Sequence, residues 1–292
     1  TMTSPFERFA DWNDPEDPDK KPQNRLEMMQ RLMLNRETLL EIIQNYTEYE
    51  SDGNKTIKKI AQQHQYIGVK AAIKRTLEVY PQSDDNKIGV IWHTTGSGKS
   101  LTMILYANII SQIKELENPT FVILTDRKDL DEQLGDFFEI AGFPYPKPKT
   151  AILEADSIVD LREKLAVPAG KIIFTTIQKF QTTQDEKDGM AKYPLISERR
   201  NIIIIADEAH RSQYKTMAQN LQRALPNALK IGFTGTPIEK EDKSTTHVFG
   251  DVLSAYRISD AVRDRATVEI TCQSRLVQLH LQNKMIGADF DK

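Results

Sequence analysis

The sequence predicts an α/β fold: a central, mostly parallel sheet flanked by helices, with a helical segment ahead of it. Three observations carry this. Apolar strand-like runs alternate with helical patterns from residue 88 onward, the arrangement that gives parallel sheets with right-handed crossovers. Four of these runs are nearly unbroken, as strands covered on both faces are. A Gly-rich string, His93-Thr94-Thr95-Gly96-Ser97-Gly98-Lys99-Ser100, closes one run and opens a helical pattern at Leu101. The carboxyl ends of strands are where such sheets bind ligands.

Composition sets the outer limits. The chain has 292 residues with 39% hydrophobic and 28% charged content, as in folded globular proteins. No run approaches the roughly 20 apolar residues of a membrane span. Thr1 to Pro5 show no basic stretch followed by an apolar one, so no signal peptide is visible. Cys272 is the only cysteine. A disulfide framework is thereby excluded, and a reducing cytoplasm is the expected compartment. The net charge of −3 argues against a globally basic nucleic-acid binder but leaves room for a local basic stripe.

Taken in order, residues 11–24 are acidic and Pro-rich and read as an exposed loop. From Arg25 to Gln44, Leu26, Met29, Leu32, Met33, Leu39, Leu40 and Ile43 recur near helical spacing, giving one amphipathic helix or two. Lys55 to Val79 reads as a further helix containing His64-Gln65-Tyr66. Strands are expected at 88–92, 120–125, 171–175, 201–206 and 228–233, and helices at 99–114, 129–141, 156–166 and 213–225. Residues 181–197 read as a polar excursion, and a further strand is expected at 267–279.

The Gly-rich string has the order that phosphate binding needs. Backbone N–H groups at a helix N-terminus cradle phosphate oxygens. Lys99 then reaches the β- and γ-phosphates, and the Ser100 hydroxyl serves Mg²⁺. His93 stands where the longer GxxxxGK[ST] string has its first Gly, so the match is the shorter GxGK[ST] form. A second string, Asp207-Glu208-Ala209-His210, ends the apolar run Asn201 to Ala206. Asp207 is expected on the metal through water, since Mg²⁺ keeps much of its hydration shell. Glu208 is the candidate to orient and deprotonate the attacking water. His210 completes the catalytic set of Lys99, Asp207, Glu208 and His210; it either couples the site to a neighbour or is a hydrogen-bonded strand-end residue. Thr234-Gly235-Thr236 follows the run Leu229 to Phe233. It either senses the nucleotide through the acidic string or simply caps a strand. Together the strings indicate a motor-type nucleoside triphosphatase that uses ATP and Mg²⁺.

Ile91 to Met103 closely resembles motif I of the motor subunit of type I restriction enzymes. Leu124 to Leu134 resembles the next motif of that family, Phe174 to Phe180 its following DNA-contacting motif, and Ala206 to Tyr214 its acidic-string motif with the trailing Arg211-Ser212-Gln213-Tyr214. Gly232 to Ile238 resembles motif III, and His64-Gln65-Tyr66 the upstream glutamine motif. The resemblance covers most of residues 60–280. It implies a RecA-like lobe of a superfamily two translocase, with Thr95, Gly96, Ser97, Gly98, Lys99, Ser100 and Leu101 on the nucleotide and Gln65 reading adenine. Thr125, Arg127, Thr175, Thr176 and Gln178 would line a track on the backbone of double-stranded DNA, and Thr234, Gly235 and Thr236 would couple the two sites. Methyltransferase and specificity subunits would be the partners, and the whole enzyme would cleave DNA when translocation stalls.

The chain also departs from that pattern. The family pattern has a nuclease-like carboxylate–lysine strand pattern, which is not read before residue 60, and a second lobe with arginine fingers expected after residue 290, so the chain is expected to be the first motor lobe with its preceding helices. The expected organisation is a helical and linker segment at 1–58, the ATP-binding lobe at 59–265, and the start of a connection at 266–292. On that expectation the isolated chain has negligible activity. Other readings are the motor of a type III restriction enzyme or another superfamily two helicase, which the DEAHRSQY string disfavours, and a nucleotide-gated interaction module without turnover.

Overall fold

The computed structural model describes residues 12, 25–51, 56–82, 85–125, 152–166, 170–183, 192–207, 214–235 and 243–268. The chain begins with α1 (Arg25–Leu32), α2 (Arg36–Asn45) and an antiparallel hairpin of β1 (Thr47–Ser51) and β2 (Thr56–Ile60). Then come α3 (Gln63–Val79), β3 (Lys87–His93), α4 (Lys99–Gln112), β4 (Thr120–Thr125) and β5 (Ile152–Glu154). They are followed by α5 (Ile158–Ala166), β6 (Ile172–Thr176), β7 (Ile202–Asp207) and α6 (Tyr214–Ala224). The last described elements are β8 (Leu229–Thr234), α7 (Lys243–Phe249), β9 (Val252–Tyr256) and α8 (Ile258–Arg263).

Among the described residues seven strands form one sheet in the order β5-β6-β4-β7-β8-β3-β9. Every pairing in it is parallel. This is the α/β fold with a parallel sheet that the alternation of elements led one to expect. The five expected strands fall within a residue of the observed ones.

The apolar runs explain themselves in this setting. Along β7, Ile203 and Ile205 join the apolar cluster on one face, while Ile202, Ile204 and Ala206 join the cluster on the other. Strand β4 divides likewise, with Phe121 and Ile123 on the first face and Val122 and Leu124 on the second. Alternation by two is therefore present but invisible to hydropathy, because both faces are dry. Each fully buried aliphatic side chain contributes about 1.5–3 kcal/mol.

Helix α4 lies beneath α3 and the N-terminal elements, which is why Met103 to Ala107 are buried in an unbroken row. Tyr106 meets Thr76 of α3 through a 2.8 Å hydroxyl–hydroxyl hydrogen bond, and Asn108 donates to Glu48 of β1 at 2.7 Å. Ile42 and Tyr46 belong to the same apolar cluster as α4 and the sheet.

One expectation is corrected. Lys55 to Val79 is not one helix, because Thr56–Ile60 is strand β2 and the helix starts at Gln63. The Ile57-to-Ile60 spacing of three imitates a helical face, but pairing with β1 sets Glu48 opposite Lys59 and Tyr49 opposite Lys58, and such cross-strand pairs stabilise a hairpin. The edge strands β5 and β9 and the helix α7 were not legible from pattern. The helix expected at 129–141 and the strand at 267–279 lie outside the described residues, apart from residues 267 and 268. No helix among the described residues is long and apolar enough to cross a membrane.

Arg200 fastens the far end of α3. Its guanidinium donates to the carbonyls of Val79 and Asp85 at 2.6 Å and of Tyr80 at 2.5 Å. Val79 O, which also accepts the Gln82 N–H at 3.0 Å, and Tyr80 O close the C-terminus of α3, where a cation is favoured by the helix dipole, and Asp85 O lies just before β3. Arg200→Leu is expected to lower unfolding free energy by roughly 2–4 kcal/mol, read as a shifted denaturant midpoint. A midpoint equal to wild type would show that the clamp contributes nothing.

Candidate functional site

Strands β7, β8 and β3 are neighbours, so three of the sequence strings meet at one edge of the sheet. Asp207 closes β7 opposite Phe233, and Thr234 closes β8 opposite Trp92, one residue before the Gly-rich loop. Strand spacing puts Asp207 roughly 10 Å from that loop, room for a metal, its waters and a phosphate between them.

The loop is held by its own backbone and by its neighbours. Thr94 N–H donates to Tyr256 O of β9 at 2.9 Å, and Ser97 N–H donates to Thr94 O at 3.2 Å. Gly96 and Gly98 have φ of +82° and +81°, a region glycine enters without steric cost. Gly98 also caps α4. A Cβ there would lie 2.6 Å from Gln65 Nε2. Thr95, Gly96 and Gly98 are exposed, while Lys99 and Ser100, the first residues of α4, are half-buried. The face of the loop that carries Thr95 and Gly96 is therefore open to solvent while its other side is pinned.

His93 fills the place of the missing glycine by turning inward. It is fully buried, with Nε2 3.0 Å from Ser254 Oγ and Nδ1 without a hydrogen-bond partner among the described residues. Space for its ring comes from Gly68 of α3, where a Cβ would stand 3.2 Å from His93 Cε1. Burial first, then the neighbouring His64 and Lys99, pushes its pKa well down, so the ring is neutral. Sequence could not have paired Gly68 with His93, because each alone is unremarkable.

Gln65 is buried and its amide is engaged within the protein. Nε2 donates to Gly98 O at 3.0 Å and Ser97 O at 3.3 Å, and Oε1 accepts from Gln62 N–H at 2.8 Å. Both amide hydrogens are thereby used on the Gly-rich loop. In this arrangement Gln65 grips the loop, and reading a base would require it to exchange these partners.

Gly235 brings the third string against the first. A Cβ on it would lie 2.7 Å from Thr95 Oγ1 and 2.9 Å from Lys99 Nζ. Gly235→Ala is expected to displace the lysine ammonium and weaken nucleotide affinity by about tenfold, the loss of one charge-assisted hydrogen bond. Equal affinity of the folded variant in a nucleotide titration would contradict this.

Four of the five expected DNA-track residues, Thr125, Thr175, Thr176 and Gln178, sit at or just beyond the ends of β4 and β6. Thr125 pairs with Thr176, and Leu124 pairs with Thr175. Thr125 and Thr175 are completely buried, Thr176 is 6% exposed and Gln178 is half-buried in the turn that follows. Arg127, Glu208, His210 and Thr236 lie outside the described residues. Among the described residues no group of three or more His, Cys, Asp or Glu could hold a metal by itself. Ser100 and Asp207 fit instead an Mg²⁺ that keeps its waters and takes oxygens from phosphates.

The description of the SWI2/SNF2 ATPase family matches residues 64–292. The chain is 42% identical over 275 residues to the putative type I restriction enzyme MjaIXP endonuclease subunit of Methanocaldococcus jannaschii, covering 93% of this chain and 25% of that protein. It is 40% identical over 287 residues to the type I restriction enzyme HindI endonuclease subunit of Haemophilus influenzae, covering 92% of this chain and 27% of that protein. The chain thus spans about a quarter of the length of these relatives. The UvsW helicase of bacteriophage T4 aligns at 16% identity over 82% of this chain and 71% of that one, with a TM-score of 0.46.

Proposed function

The chain belongs to the SWI2/SNF2 ATPase family, and from that premise we propose that it is the ATP-binding motor lobe of a type I restriction enzyme's endonuclease subunit. The observation that carries this reading is the convergence of the Gly-rich loop, Asp207 and Thr234-Gly235 on the adjacent ends of β3, β7 and β8. Likeness to endonuclease subunits over more than nine-tenths of the chain supports the restriction context.

The roles follow from position. Backbone N–H groups of Thr95 to Ser100 cradle the phosphates at the start of α4, and Lys99 neutralises the β- and γ-phosphate charge. Bound Mg²⁺, held by Ser100 and through water by Asp207, would stabilise charge developing on the phosphates. Glu208, the next residue after Asp207, orients and deprotonates the attacking water. Gly235 abuts Lys99 and Thr95, so a change at the γ-phosphate is felt at once by β8 and the segment after it.

DNA is proposed to run across the carboxyl ends of β4 and β6. Buried Thr125 and Thr175 form the floor there, and Arg127, Thr176 and Gln178 supply contacts to phosphates. Hydrolysis moves the duplex through such contacts, and sequence recognition comes from methyltransferase and specificity subunits. Cleavage belongs to the whole enzyme.

The test is phosphate release and duplex translocation by an assembled complex carrying this sequence. DNA-stimulated hydrolysis with movement supports the reading, and nucleotide binding without turnover supports a gating module instead. DNA affinity should fall steeply with salt and vary little with sequence outside the recognition site, and Arg127→Ala should lower the salt slope by about one. A flat salt response would remove the backbone track.

A further inference from the structure

Tyr256, at the end of edge strand β9, is linked to the phosphate loop twice, once directly and once through His64, although it lies far from the loop in sequence. Its carbonyl accepts the Thr94 N–H at 2.9 Å, where the loop leaves β3. Its ring stacks on His64 of α3, with centroids 3.8 Å apart and planes within 8°. His64 Nε2 in turn lies 3.0 Å from Ser97 O, in the middle of the loop. The edge of His93 closes a third side, its centroid 5.0 Å from that of His64.

The chemistry of the His64 contact is fixed by its partner. A carbonyl oxygen only accepts, so the proton of a neutral His64 sits on Nε2. Burial lowers the imidazole pKa from its usual value, which keeps the ring neutral near pH 7. The ring is therefore held by a stack on one face and by one N–H on its edge.

The consequence for the loop follows from peptide planarity. In a trans peptide the C=O and the next N–H point in opposite directions. With Ser97 O drawn toward α3 by His64 at 3.0 Å and Gln65 at 3.3 Å, the Gly98 N–H is aimed away from α3. The same holds one residue on. Gly98 O is taken by Gln65 and by Thr102 N–H at 3.1 Å, which turns the Lys99 N–H outward. Glycines at 96 and 98, both at positive φ, make these peptides easy to flip when nothing holds their carbonyls.

We propose that His64 and Tyr256 are positioning residues for the phosphate site, the stacked pair anchoring the Ser97 carbonyl so that the Gly98 N–H is presented to the nucleotide's phosphates. The proposal rests on reading residues 93–100 as a phosphate loop. It concerns the phosphate chain and not the base.

The experiment is calorimetric titration of the full 292-residue chain with two probes, ATP and inorganic tripolyphosphate, each with Mg²⁺. His64→Ala and Tyr256→Ala should each weaken both probes by the same factor, about tenfold, as expected for losing one hydrogen bond or one ring contact. The double variant should be little weaker than either single one, because the two side chains act as a unit. Tyr256→Phe, which keeps the ring and loses only the hydroxyl bond to Asp264, should bind both probes as wild type does. Tyr256→Leu keeps apolar bulk without the stack and serves if the alanine variant fails to fold. Folded variants with wild-type affinity for both probes would overturn the proposal. So would weakening confined to ATP, which would make the pair a base contact. Wild type that binds neither probe would overturn the phosphate-loop reading itself and this inference with it.

Discussion

Lys99→Ala is expected to lower nucleotide affinity by about a hundredfold or more while leaving the fold intact. Lys99 is the first residue of α4 and half-buried beside Thr95 and Gly235. Its ammonium is the mobile full charge of the loop, while the rest of the cradle is made of backbone dipoles. Two charge-assisted hydrogen bonds to phosphate, each contributing about 1.5–3 kcal/mol, set the scale. Alanine is a good first-turn residue, so α4 should not suffer. A fluorescent-nucleotide titration run beside a thermal melt measures both. Near-normal affinity with an unchanged melt would mean that the loop binds phosphate without its lysine, and the assignment of Lys99 would be wrong.

Glu208→Gln is expected to leave nucleotide affinity unchanged and to cut turnover of the assembled enzyme by about 10²–10⁴-fold, the usual contribution of a general base. The amide keeps the side chain's size and hydrogen-bonding reach but does not take up a proton. The motive is its place in the sequence, directly after Asp207, which ends β7 beside β8. Steady-state phosphate release together with the same nucleotide titration separates the outcomes. Unchanged turnover would transfer the role to another residue, and lost affinity would make Glu208 structural.

Some elements were legible because their signals are local. A central strand dry on both faces is a short apolar run wherever it lies in the chain, so β3, β4, β6, β7 and β8 were placed within a residue. The Gly-rich turn and the strand end at Asp207 were legible for a related reason: glycines at positive φ and an apolar run that stops at a carboxylate are features of a few consecutive positions. Edge strands lack such a signal. Strand β9 reads Val-Leu-Ser-Ala-Tyr with only Tyr256 buried, and its existence depends on pairing with β3 across a register shift. Strand β2 was read as helix because two isoleucines three apart fit the helical period, and only pairing with β1 decides otherwise.

Sequence by itself determined the class of fold, the order of the strings and the chemistry each string permits, because these are properties of neighbouring residues. Tertiary structure alone decided how the site is held together. Strand order set Asp207 and Thr234-Gly235 beside the loop. Gly68 left room for His93, Gln65 turned its amide onto Ser97 and Gly98, and Tyr256 anchored the loop through His64. Each of these rests on a contact between residues distant in the chain, formed only once burial of the two apolar faces has brought α3, β3 and β9 together.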